Sequence, residues 1–486
     1  MKEDRERAPL AEAVACYAAE QVTRFHMPGH KGGKGISAAA ARIMGRRVFE
    51  LDITGVEGMD DLLQPTGVIR EAEQLLAQAY GAEASYFLIN GTSSGMQALI
   101  LSTCNPGDEI IVPRNMHKSM VSGVILSGAR PVFVSPEVDP DFGIALGVTP
   151  EKIAAALAAH PQARAALLIN PTYYGTTSDL TTIAAQVHGR GLPLLIDEAH
   201  GPHFYFHEGL PPGALTQGAD AAAQGAHKIL CSLTQSSWLH VKGGRIDRGR
   251  LQAVLAVLLS TSASYLFLAA LDLARLQMVK EGRAILERTI ELAERLRRGV
   301  RQLPGLTTFG AEYCGRPGVK GLDPTKVTVG VKGLGLTGQQ VELYLRYRHR
   351  IQVELSDLYN VLFIVGPGNT AEDIDKLLAA LAALVKDEAG RRERTELPPA
   401  LPPAPRQILT PREAFFAPAE SVPLAAARGR ISTETVTCYP PGIPILCPGE
   451  EVTAEIIEHI EVMKSNGYRI QGPQDGGLTR LRVVKE

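Results

Sequence analysis

The stretch SYFLINGTSSG (85–95) decides the fold. Ser85 to Asn90 is a short aromatic and β-branched run, which predicts a strand. Asn90 to Gly95 turns the chain, and helical spacing follows from Ser93 to Cys104. On the N-terminal side, Thr66 to Tyr80 carries Ile69, Ala72, Leu75, Leu76 and Ala79 at helical spacing, with Gly81 as a stop. On the C-terminal side, NPGD (105–108) turns into a strand, EIIVP (109–113), and a helix, HKSMVSGVILSG (117–128). The strand PVFVS (131–135) comes next, then a helix opened by Thr149-Pro150 and running to about His160. ARAALLIN (163–170) and LPLLIDEA (192–199) read as buried strands. This alternation predicts an α/β fold with a mostly parallel sheet and helices on both faces.

Beyond it, residues 267–303 are helical and increasingly charged. Strand candidates KVTVGVK (326–332), RIQVEL (350–355) and YNVLFIVG (359–366), with helices over 337–348 and 371–386, predict a smaller α+β unit. Five prolines between Pro398 and Pro405 read as a stiff linker. A last segment holds YPPGIPILCPGE (439–450) and a helix from about Thr453 to Ser465. The expected division is an N-terminal arm (1–24), a large domain (25–275), a small domain (276–395), the linker (396–406) and a C-terminal α+β domain (407–486).

Composition removes whole classes of function. The 486 residues carry 50 Lys and Arg against 52 Asp and Glu, so no basic field exists to hold nucleic acid or an anionic membrane. The six cysteines form no CxxC pair, which argues against a zinc ribbon or disulfide framework and for a reduced, cytoplasmic setting. The start, MKEDRERAPL, lacks the apolar core of a secretory signal. Residues 251–271 contain no charge and are long enough to span a bilayer. Gln252, Ser260, Thr261, Ser262 and Ser264 interrupt them, and a buried segment between domains is the expectation.

Four pieces of the alternating region carry chemistry. Gly91, Thr92, Ser93 and Ser94 open a helix, where backbone N–H groups and hydroxyls can surround an anion. His117 follows a strand, at the crevice where α/β sheets bind ligands. Asp197 ends an apolar strand, where a carboxylate is costly to desolvate without a cationic partner. Lys228 follows the small-residue run GADAAAQGA, and a partly desolvated lysine becomes a Schiff-base nucleophile. Taken singly, each has a plainer alternative: a helix cap, a surface histidine, a helix or turn cap and a surface lysine. Taken together, they match the needs of pyridoxal 5′-phosphate: a phosphate cup, a ring that stacks, an acid for the pyridine nitrogen and an amine.

FHMPGHKGGK (25–34), DLLQPTGVIREAE (61–73), NGTSSG (90–95), PRNMHKS (113–119), PTYYG (171–175), IDEAHGPHF (196–204), AHKILCSLTQSS (226–237) and YPPGIPILCPGE resemble the bacterial ornithine/lysine/arginine decarboxylases. The resemblance covers nearly the whole chain. It implies a fold-type-I, aspartate-aminotransferase-like, pyridoxal-phosphate enzyme of the short form without the wing domain, most like arginine decarboxylases of polyamine synthesis. It implies a homodimer or higher homo-oligomer with sites at the subunit interface. Lys228 is then the Schiff-base lysine, Asp197 pairs with the pyridine nitrogen and His117 stacks on the ring. Thr92 and Ser93 bind phosphate, and His227 approaches it or moves a proton. Ala199 and His200 lie beneath or beside the cofactor, and Thr261 approaches a phosphate across the dimer interface. Asp60, Asp61 and Glu434 are candidates to read the substrate's distal cation. No metal is expected, although His200, His203 and His207 are close in sequence.

Departures accompany the resemblance. Gly225 stands where the family usually has serine, with Ala226 next, and Cys231, Ala263 and Gly55 also differ. A lost phosphate hydrogen bond would cost about 1.5–3 kcal/mol, which Ser94, water or a backbone N–H could offset. Other fold-type-I activities, such as aminotransferase or carbon–sulfur lyase, are the alternatives, together with a catalytically weakened relative that binds cofactor or amino acid.

Overall fold

The computed structural model describes residues 6–388, 402, 404–439, 443–465 and 469–485. Pro398, Pro399 and Pro403 of the expected linker, and Pro440 to Gly442 of the C-terminal loop, lie outside these residues. In chain order the main strands are β1 (Ala84–Leu88), β2 (Glu109–Pro113), β3 (Arg130–Val134), β4 (Ala163–Ile169), β5 (Leu194–Asp197), β6 (Ala221–Gln224) and β7 (Ser237–Val241). The chain forms two units. One comprises residues up to 102, with 195–208 and 212–286; the other comprises 103–194, 209–211 and 287 onward.

In the first unit β5 and β6 are parallel, Asp197 opposite Ala223. β7 runs antiparallel to β6 and to β1, with Leu88 opposite Ser237. The sequence reading missed both β6 and β7. AAAQ (221–224) lacks β-branched residues, yet all four are buried. Its small side chains serve packing: a Cβ added to Gly95 of helix Gly91–Thr103 would lie 3.2 Å from the Ala223 Cβ and 2.7 Å from Leu88 Cδ1. Helix Val68–Tyr80 buries Ile69, Ala72, Leu75, Leu76 and Tyr80 and stops at left-handed Gly81. The N-terminal arm contains a helix, Pro9–Ala19, whose Leu10 N–H donates to buried Asp272 at 3.0 Å.

The uncharged stretch over 251–271 divides between helix Arg248–Leu258 and helix Tyr265–Val300. Leu251 and Leu255 are buried, but Val257 is exposed, so the expectation of a buried segment holds for one face only. No described helix is long and apolar enough to cross a membrane.

In the second unit β2 pairs in parallel with β3 and β4. A separate antiparallel sheet joins Lys326–Gly330 to Asn360–Ile364, with Val327, Val329, Val361, Leu345 and Leu381 in its core. RIQVEL is not the strand expected over 350–355. Arg350 is the left-handed cap of helix Gly338–His349, and pairing begins at Leu355. The C-terminal segment pairs Ala419–Pro423 with Arg480–Val484 and packs helix Ala454–Ser465 over Val436, Leu446 and Leu481. The architecture is α/β with a mostly parallel central sheet, accompanied by α+β elements.

Candidate functional site

The first unit concentrates the expected residues on the ends of β5, β6 and β1. β5 alternates its side chains, so Asp197 and Glu198 point to opposite faces. Asp197 is buried, and its Oδ1 accepts the Ala199 N–H at 3.1 Å. Burial pushes its carboxyl up, while the Lys228 charge and the Ala199 N–H pull the other way. Among the described residues it has no ion-pair partner within salt-bridge distance. It therefore suits a cation brought by a ligand.

Just beyond β6, the one-turn helix Ala226–Ile229 carries His227 and Lys228. Lys228 Nζ lies 2.9 Å from Nε2 of buried His200. The Ser236 carbonyl, 2.8 Å from His227 Nδ1, can only accept, so Nδ1 carries the proton and Nε2 is left for exchange. Burial holds His227 below an ordinary imidazole despite that bond, and Lys228 adds to the effect, so the ring is neutral near pH 7.

The Gly/Ser turn is already helical. The helix begins at Gly91 rather than Ser93, with Gly91 at φ +76°. The backbone N–H groups of its first turn therefore lack intrahelical acceptors and can serve an anion. The Thr92 hydroxyl lies 3.0 Å from Ser237 Oγ, while Ser94 Oγ donates to the Gly91 carbonyl at 2.8 Å. The Ser93 hydroxyl has no described partner. Ser94 is thus turned back on its own helix rather than left to replace a missing phosphate donor.

The other expected residues are carried by other elements. His117, in the second unit, caps helix Lys118–Ser127, and its Nδ1 accepts from Ser119 N at 3.2 Å. Thr261 is exposed between helix Arg248–Leu258 and helix Tyr265–Val300. The Asp60 carboxylate accepts from Thr66, Gly67, Ile69 and Arg70 at 2.8–3.3 Å. Partial burial opposes its ionisation, but these N–H groups hold its carboxyl below the usual range. Asp61 accepts from Leu63 N, and Glu434 from the Gln474 and Arg482 N–H groups.

Sequence reasoning missed the loop before β7. Gln235 adopts φ +85° and donates to the Ile89 carbonyl at 2.7 Å; Ser236 and Ser237 meet His227 and Thr92. The LTQSS motif was visible, but the strand that positions it was not. Glu198 was also missed. Gln224, Tyr205 and the Ala214 N–H bind it on the far face, and burial outweighs these bonds to push its carboxyl up to about 7.

Gly225 has a packing reason. Its φ of −86° suits any residue, but an added Cβ would lie 2.9 Å from the Ala199 carbonyl oxygen and 3.1 Å from Lys228 Cδ. Gly225→Ser should therefore destabilise by roughly 1–3 kcal/mol, read as a lower thermal midpoint. An unchanged or higher midpoint would show that the site admits the hydroxyl.

The family model of the Orn/Lys/Arg decarboxylase major domain matches residues 8–314, and that of the Orn/Lys/Arg decarboxylase C-terminal domain matches 399–473. The arginine decarboxylase of Bacillus subtilis (strain 168) is 43% identical over 481 residues, 98% of each chain. The structure of the E. coli constitutive lysine decarboxylase superposes with a TM-score of 0.83 at 24% identity, covering 99% of this chain and 82% of that one. An alanine–glyoxylate aminotransferase from Nostoc gives 0.53 at 19% identity, over 67% of this chain and 89% of that one, a likeness of fold. Two matched family models and near-full-length identity lead to one statement: the chain belongs to the Orn/Lys/Arg decarboxylase family.

Proposed function

We propose that this protein decarboxylates a basic L-amino acid with pyridoxal 5′-phosphate, as a step of polyamine biosynthesis. Arginine to agmatine leads, lysine to cadaverine is next and ornithine is third. The observation that carries this reading is the 43% identity to an arginine decarboxylase across 98% of both chains.

The residues fit the cofactor. A protonated ring nitrogen is the cation that buried Asp197 lacks, and the amides and hydroxyls of Gly91, Thr92 and Ser93 suit a phosphate, with Ser94 contributing its backbone N–H. Lys228 would hold the aldehyde carbon, His117 would stack on the ring, and Ala199, His200 and His227 would line it. Thr261 would reach a neighbouring subunit's phosphate. When bound, the cofactor supplies an electron sink for the pair left as CO₂ departs.

The chain's own residues do the rest. The Asp197 carboxylate keeps the ring nitrogen protonated. His200 Nε2, 2.9 Å from Lys228 Nζ, orients that amine. Lys228 Nζ or His227 Nε2 returns a proton to the substrate Cα. Among Asp60, Asp61 and Glu434, exposed Asp61 accepts a single described hydrogen bond from another residue's backbone and keeps most capacity for a distal cation.

The same reading includes a reduced cytoplasmic setting, a homo-oligomer with interfacial sites, and the five-part division at 24, 275, 395 and 406. Holoenzyme given arginine, lysine and ornithine in parallel should release agmatine in largest yield. Cadaverine as the main product would reverse the substrate order, and no amine from any of the three would overturn the proposal.

A further inference from the structure

A cavity lies in the first unit, lined by none of the residues assigned above to the cofactor. It is a cleft of about 530 Å³ between helix Val68–Tyr80, β1 and helix Arg248–Leu258. Glu73 lies in its wall, 8% exposed. Its Oε1 accepts the Phe87 N–H at 2.9 Å, and no described residue donates to its Oε2 or pairs with its charge. Gln64, Gln74, Gln252 and the Tyr86 hydroxyl also line the cleft without described side-chain partners. A narrow recess beside Glu73 is walled by Leu62, Leu255 and Leu259.

A desolvated carboxylate, uncommitted amides and an apolar recess together form a site for a cation with a hydrocarbon stem. We infer that this cleft binds a small alkylammonium or alkylguanidinium ion, its charge against Glu73 and its stem along the apolar wall.

The surrounding charges favour that occupant. Glu83 is occupied, accepting from Gly243 N at 3.1 Å and pairing with Arg248 at 3.7 Å. Arg70, one turn before Glu73, is exposed and makes no ion pair with it. Asp60 adds negative potential. Burial is the main cause that pushes the Glu73 carboxyl up to about 8, opposed by the Phe87 N–H. Near pH 7 it is protonated when the cleft holds no cation, so binding a cation should release about one proton.

Calorimetric titration of the holoenzyme with agmatine at pH 7, in buffers of different ionisation heat, tests this. Glu73→Gln keeps an acceptor for Phe87 N–H, and Gln252→Lys adds a tethered ammonium on an exposed helix face. The wild type should bind one more agmatine per chain than either variant, with a released proton that both variants lose. Arginine turnover should be unchanged in both. Equal stoichiometry and equal proton release in all three would overturn the site. So would unchanged agmatine binding with loss of self-association in Glu73→Gln, which would make the cation a side chain of a second copy. Absence of turnover by the wild type would defeat the decarboxylase reading but leave the agmatine count intact.

Discussion

Lys228→Ala should lower arginine turnover by at least ~10³-fold and remove the visible absorbance of the bound cofactor. The expectation follows from placement. Lys228 rises from a single helical turn after β6, its amine 2.9 Å from His200 and within electrostatic reach of buried Asp197. No other described lysine has this setting. Asp197→Asn is the companion variant. It preserves size but removes the charge that a ring cation needs, so it should lose turnover while keeping the absorbance band. Side-by-side steady-state rates and absorbance spectra check both. Retained turnover in Lys228→Ala would contradict the assignment outright.

The second large effect lies in the second unit. The Arg114 guanidinium makes a two-pronged contact with Glu450, one prong at 3.0 Å, and donates to the Ile445 carbonyl at 3.1 Å. Glu450 is fully buried and also accepts the Cys447 N–H at 2.7 Å. This pair ties PGE (448–450) to the segment that carries His117, three residues after Arg114. Removing one partner leaves an uncompensated buried charge, at about 3–5 kcal/mol. Glu450→Gln and Arg114→Ala should each lower the thermal midpoint by about 3–5 °C. The paired change Arg114→Met with Glu450→Leu should recover much of the loss, because no stranded charge remains. Calorimetric scans decide, and an unchanged midpoint in both single variants would remove the pair as an anchor.

The legible part of the fold was its periodic part. EIIVP is a strand at the expected residues, and the Thr149-Pro150 cap opens its helix at Pro150. Where small residues replaced a hydrophobic signal, the reading failed. β6 is three alanines and a glutamine, buried by the close approach of helix Gly91–Thr103, and nothing local marks it as a strand. RIQVEL looked like a strand because its alternation is real. The left-handed cap at Arg350 and the pairing begun only at Leu355 are tertiary facts.

In the candidate site, position in the sequence singles out Asp197, His227 and Lys228. The hydrogen bonds that fix a tautomer, turn Ser94 inward and crowd Gly225 come from backbone carbonyls that a sequence does not display. Arg114 and Glu450 were both inside quoted motifs, but they are 336 residues apart and only folding joins them.

Decarboxylation itself is tested most directly with arginine labelled in its carboxyl carbon. The wild type should give labelled CO₂ and agmatine in a one-to-one ratio, and Lys228→Ala neither. Keto-acid formation without labelled CO₂ would contradict it and assign the fold to amino transfer instead.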